Sequence, residues 1–154
     1  YGMTNAISEG RVMVLSRNGT VADARQDVTL HALLSSPAIP AADVIVLDSA
    51  SSLMPEGGTK ADHHTLIQQL RKIASDGRSF MLCADPEEMD HTLLHTLRAS
   101  AEVVLDLDNA MIGGEIKRNI IITRFLRAAG PIQTSIGWRV EPGMGFIVDI
   151  TAVS

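Results

Sequence analysis

The chain has 154 residues, enough for one domain with a substantial core, and its 45% hydrophobic content argues against disorder. No apolar run approaches the roughly 20 residues that span a bilayer, and no charged-then-apolar leader is visible. A net charge of −5 argues against a generic basic nucleic-acid surface and leaves room for a local basic site. The single Cys83 excludes an internal disulfide and suits a reducing compartment.

In chain order, residues 11–16 (RVMVLS) predict a short buried strand, and Asn18-Gly19 a turn. Ala24, Val28, Ala32 and Leu34 predict a modest helix over 23–34, ended by Pro37 and Pro40. The run Val44-Ile45-Val46-Leu47 predicts a strand buried on both faces of a parallel sheet. It ends on Asp48, at the edge where open α/β sheets bind ligands. An aspartate that merely caps the next turn is the alternative. Gly57-Gly58 marks a loop. Residues 60–75 predict a helix with one apolar stripe of Leu66, Ile67, Leu70, Ile73 and Ala74, closed by Asp76 and a C-cap Gly77. Residues 79–84 (SFMLCA) predict a second buried strand that includes Cys83 as a small core residue. Pro86 at a first helical position, with Glu87 and Glu88 behind it, predicts a helix to about Ala99.

Then the pattern changes. Residues 102–108, 116–125, 137–141 and 145–150 predict strands. Gly113-Gly114 joins the first two as a hairpin, and Pro142-Gly143 the last two. Alternating β/α to about residue 100, followed by an antiparallel β region, predicts one α/β domain over 1–154, with no internal repeat.

The stretches IVLDSASSL, SFMLCADPEEM and WRVEPGMGFIVDI, with EIKRNIIITRFLRAAG before the last, resemble the RecA/KaiC-type ATPases. Among these they are most similar to the archaellum accessory ATPases (FlaH/ArlH). Trp138 to Gly145 is the strongest piece, the opening GMTNAISEGRVMVLS fits as well, and the likeness spans essentially the whole chain. It implies the P-loop NTPase core: parallel strands with helices, then antiparallel strands and hairpins. No GxxxxGK[ST] occurs in the 154 residues. That loop supplies the backbone N–H groups and Lys for phosphates, and a Ser/Thr for Mg²⁺. The resemblance therefore implies the C-terminal portion of an ATPase core, with the phosphate-binding loop and catalytic glutamate preceding it. On its own such a portion should bind ATP weakly or not at all, and should carry an unpaired gap in its sheet.

Several residues gain roles from this resemblance. Asp48 becomes the Walker B aspartate that holds Mg²⁺ through water, with Ser49 hydrogen-bonding nearby. Asp85, ending the next strand, falls where these ATPases place a γ-phosphate sensor; an N-cap for a helix at Pro86 is the equal alternative. Arg118, Arg124 and Arg127 fall where KaiC-like rings reach the neighbouring subunit's nucleotide, a task suited to the planar guanidinium fork. An ordinary solvated strand face is the alternative, and Lys117 is the weakest member of the group. His91 and His95 share a helix face, yet Thr92 stands where a metalloprotease has Glu and no third ligand suggests itself. His63 and His64 are adjacent and point in different directions.

The resemblance implies an ATP-binding regulatory protein of the archaeal motility motor, using ATP and Mg²⁺ and assembling as a homo-oligomeric ring. It would dock on the motor ATPase and the membrane platform, in the cytoplasm at the inner face of the membrane. A nucleotide-independent interaction module derived from such an ATPase is a second reading. A KaiC- or RadA-like protein in signalling or recombination is a third, disfavoured by 3% aromatic content and the negative charge.

Overall fold

The computed structural model describes residues 3–14, 30–35, 42–54 and 58–149. The chain divides into two compact units, Tyr1–His91 and Thr92–Ser154.

The first unit begins with α1 (Met3–Ser8) and α2 (Leu30–Leu34). No strand forms over residues 11–14, contrary to the expectation there. The rest of that predicted strand, the turn at 18–19, residues 23–29 of the predicted helix and Pro37 and Pro40 lie outside the described residues. Strand β1 (Val44–Leu47) pairs in parallel with β2 (Ser79–Leu82), with Val44 opposite Ser79 and Leu47 opposite Leu82. Between them run a short 3-10 helix (Ser51–Leu53) and α3 (Lys60–Ser75).

Helix α3 matches its predicted bounds because both ends are coded locally. Thr59 caps it through a reciprocal pair: its hydroxyl accepts from the Asp62 N–H, and the Asp62 carboxylate accepts from the Thr59 N–H at 2.8 Å. Gly77 leaves the helix at φ +85°. The buried stripe is His63, Leu66, Ile67 and Leu70, one turn nearer the N-terminus than the apolar pattern suggested. With Leu30, Leu34, Ile45, Leu47, Ala50 and Met89 these residues are buried in this unit. Strand β1 corrects a second expectation: Ile45 and Leu47 are buried, whereas Val44 and Val46 are exposed. A run of four apolar residues signals a strand but does not count the layers around it.

The second unit holds nearly all of α4 (His91–Ser100) and a four-stranded antiparallel meander, β3 (Val103–Ile112), β4 (Glu115–Phe125), β5 (Ser135–Glu141) and β6 (Gly145–Asp149). The β3–β4 connection is a two-residue loop. Gly113 and Gly114 have φ of +62° and +84°, the paired positive values that a type I′ turn requires. Helix α4 begins five residues later than Pro86 suggested, because residues 86–88 form a turn.

This sheet is two-faced, since partners opposite one another in an antiparallel pair share a face. One face carries Leu107, Met111, Ile116, Trp138, Val140 and Phe146; Leu107 is 72% exposed and Met111 71%. Trp138 stacks on Phe146 with ring centroids 5.3 Å apart. The other face carries ion pairs. Arg98 of α4 grips Asp106 with both guanidinium nitrogens, one at 2.8 Å, and Thr123 donates to the same carboxylate at 3.0 Å. Arg139 pairs with Glu141 and Asp149, and Lys117 with Glu115. Among the described residues no helix is long and apolar enough to cross a membrane.

Candidate functional site

The C-terminal ends of β1 and β2 form an open cleft lined by Asp48, Ser49, Cys83, Ala84, Asp85, Pro86 and Glu88. The strands place these residues because parallel strands in register finish together. The backbone then stitches the two ends. Cys83 N–H donates to Leu47 C=O at 2.9 Å, and Ala50 N–H donates to Cys83 C=O at 2.7 Å. Ser51 adds a third stitch: its buried hydroxyl accepts from the Asp85 N–H at 2.8 Å.

Asp48 is exposed at the end of β1, and among the described residues its carboxylate has no hydrogen-bond or ion-pair partner. The Asp48–Ser49 peptide is cis. The Ser49 hydroxyl oxygen is buried and unpartnered. Asp85 accepts from the Glu87 N–H at 2.9 Å, so its carboxylate does cap, but it caps the 86–88 turn rather than a helix. Cys83 corrects the sequence reading. It follows the last residue of β2 and is exposed in the cleft, not packed in a core.

The structure thus brings together Asp48, Ser49 and Asp85. Arg118, Arg124 and Arg127 lie in the second unit and have different surroundings. The Arg118 guanidinium stands 5.9 Å from the Trp138 ring centroid. Arg127, at φ +62°, is ion-paired with Glu102. The Arg124 Nε is buried with no partner. His91 and His95 are exposed on α4, and among the described residues no three His, Cys, Asp or Glu side chains converge as a ready metal site. Sequence reasoning missed Ser51 and Glu88. The Ser49-Ala50-Ser51-Ser52 run after β1 was the available signal for the first, because short hydroxyl side chains bond backbone groups at strand ends.

The donor set suits a hydrated divalent cation. Hard oxygen ligands at an exposed edge fit Mg²⁺, which keeps several of its waters and takes one or two carboxylates. The set does not suit a bare phosphate, which three carboxylates would repel.

Parallel strands that end in carboxylates, followed by an antiparallel meander, are the fold of the RecA/KaiC-like proteins. A KaiC-like protein of Pyrococcus horikoshii matches 96% of the chain with a TM-score of 0.64 at 18% identity, over 66% of its own length. The chain is also similar in sequence to FlaH. It is 25% identical over its full length to the archaeal flagellar ATP-binding protein FlaH of Methanococcus voltae, and 24% to that of Methanocaldococcus jannaschii. The crystal structure of the flagellar accessory protein FlaH from Methanocaldococcus jannaschii superposes on 96% of the chain with a TM-score of 0.80 at 23% identity. The chain spans about two thirds of these relatives, 67% and 66% of the two curated proteins. No family model matches the chain. The resemblance read from the sequence, and the fold it implied, are both borne out.

Proposed function

We propose that the chain serves in an ATP-binding accessory protein of the archaeal motility motor, with a regulatory task. Two things support this reading: similarity along the whole chain to two proteins named as flagellar ATP-binding proteins, and the cleft itself. The observation that carries it is Asp48, an exposed carboxylate at the C-terminal end of a parallel strand that has no partner among the described residues.

In this reading Asp48 holds Mg²⁺ through the ion's water shell. Ser49 offers an unpartnered hydroxyl beside it, and Asp85 faces the same cleft. Bound Mg·ATP supplies the phosphate charge whose presence or absence is sensed. The described cleft residues include no cation for those phosphates; arginines of a neighbouring subunit in a homo-oligomeric ring add to what a phosphate-binding loop supplies. Arg124 is the first candidate, because among the described residues no ion pair or ring contact holds its guanidinium. Arg127 would first have to leave Glu102, and Arg118 the Trp138 ring. Ring assembly, and docking on the motor ATPase and the membrane platform, are then the output of nucleotide binding.

The test is Asp48→Ala in the protein expressed with whatever coding sequence precedes Tyr1. Mg·ATP affinity should fall at least about tenfold, while the melting temperature changes little, since an exposed and unpaired side chain contributes little to stability. A variant that binds Mg·ATP like the wild type would sink the metal role.

One observation favours a second reading, a nucleotide-independent interaction module. The apolar face around Trp138 and Phe146 is larger than isolated surface hydrophobes would make it. Wild-type protein that binds no nucleotide yet still self-associates would support that module.

A further inference from the structure

Two serine hydroxyls stand just past the end of β1, and the fold uses only one of them. The Ser51 hydroxyl is spent on the strand ends, accepting from the Asp85 N–H at 2.8 Å. The Ser49 hydroxyl oxygen is also buried, yet it has no hydrogen-bond partner. A polar atom buried unpaired is unfavourable, and an alanine at 49 would fill the place without that cost. Packing therefore does not account for this hydroxyl.

The chemistry of the cleft does. Ser49 is part of its lining, and a phosphate there needs hydrogen-bond donors. The carboxylates of Asp48, Asp85 and Glu88 accept only, Ala84 and Pro86 carry no polar side-chain atom, and the Cys83 thiol is a weak donor. Backbone donors beside them are already engaged. Cys83 N–H is bonded to Leu47 C=O, Asp85 N–H to the Ser51 hydroxyl and Glu88 N–H to Asp85 C=O, while Pro86 has no N–H. Ser49 is thus the strong side-chain donor among the described cleft residues. A turn about χ1 between staggered wells re-aims its O–H with no backbone movement. An unpaired, buried hydroxyl has already lost its water, so a bond from it to a ligand replaces no other hydrogen bond.

We infer that Ser49 is a specificity-determining residue of the cleft, whose hydroxyl donates to a phosphate oxygen of the metal-bound nucleotide. This role rests on the nucleotide reading above and divides the work at the strand end: Asp48 meets the cation, and Ser49 meets the phosphate that the surrounding carboxylates repel.

The test compares Ser49→Ala with wild type, in the protein expressed with whatever coding sequence precedes Tyr1, with Mg·ATP as the probe. Calorimetric titration should show binding weakened at least about tenfold, the loss of one hydrogen bond to a charged group. Thermal melting of the nucleotide-free variant should show no loss of stability, and a gain where removing the unpaired oxygen is felt. In ³¹P NMR of the saturated complexes, a phosphate resonance should differ between the two proteins, which a merely structural serine would not cause. Equal affinity, unchanged phosphate resonances, or an empty variant that melts below wild type overturns the inference and leaves the nucleotide reading standing. A wild type that binds no Mg·ATP overturns the nucleotide reading, and the inference falls with it.

Discussion

Replacing Ser51 with alanine removes one oxygen from the joint that holds the cleft together. Ser51 is 7% exposed, and its hydroxyl is the acceptor for the Asp85 N–H at 2.8 Å. Alanine keeps the Cβ, so almost no packing is lost and the cost is that of the bond. A net intramolecular hydrogen bond contributes about 1 kcal/mol, and a donor left partly buried without a partner adds to that. We expect a loss of about 1–2 kcal/mol, read as a melting-point drop of roughly 2–4 °C per kcal/mol for a chain of this size. The sole tryptophan, Trp138, lies in the second unit and does not report on this joint. Urea unfolding followed by far-UV circular dichroism, together with hydrogen exchange at the Asp85 amide, is the suitable assay. The amide should exchange faster in the variant. If stability changes by less than about 0.3 kcal/mol, well below the value of one hydrogen bond, and the Asp85 amide exchanges as before, Ser51 does not hold the wall and the account of the cleft's geometry is wrong.

Gly114→Ala should cost about 1 kcal/mol, because φ +84° is unfavourable for a residue with a Cβ even though open space surrounds it; unfolding followed by Trp138 fluorescence reads it. The Arg98 fork, and then Thr123, hold the Asp106 carboxyl below its ordinary value of 3.8. The unfolded chain therefore takes up this proton first as acid is added. The stability from the pair is complete above that value and is lost as pH falls through the lower folded value. Wild type should lose more stability than Asp106→Asn between about pH 5 and pH 3, and equal acid sensitivity would refute the linkage.

What was legible in the sequence was whatever neighbouring residues code. Helix α3 carries its own start in Thr59 and Asp62 and its own stop in Gly77, so its bounds were readable to the residue. The hairpin at Gly113-Gly114 was readable for the same reason. Errors arose where the deciding partner is distant or the residue type misleads. Pro86 and two glutamates look like a helix start, but the Asp85 carboxylate is spent on Glu87 and the turn it makes delays α4 to His91. Val44 and Val46 looked buried because the run is apolar, and nothing local says that one face of β1 is exposed. The apolar run 79–84 includes Cys83, but the ladder ends at Leu82 and leaves the thiol in the cleft. His63 was passed over because histidine is not scored as apolar, and its burial depends on packing that no periodicity records. Asp48 stands out in the sequence because it follows directly on β1, and Asp85 because it closes the run 79–84, with two residues between it and the end of β2.

Under the proposed reading, the electrostatics of the cleft sets the form in which a nucleotide would enter it. Asp48, Asp85 and Glu88 line the same opening, and the chain as a whole carries −5. Two like charges roughly 6 Å apart near a protein surface repel by about 3 kcal/mol at an effective dielectric of about 20. A free triphosphate meets three such carboxylates and, among the cleft residues, no compensating cation. A hydrated Mg²⁺ reverses the sign at the point of contact, so the carboxylates that repel ATP attract Mg·ATP. Under the proposed reading, chelating the metal with EDTA should therefore abolish nucleotide binding rather than weaken it slightly. Asp48→Asn should narrow the difference between binding with and without Mg²⁺, because it removes a repulsion along with a ligand. Equilibrium dialysis with labelled ATP, with and without EDTA, reads both effects. Affinity that is indifferent to EDTA would mean that the phosphates find their cations elsewhere and that the carboxylate edge of this sheet is not the metal site.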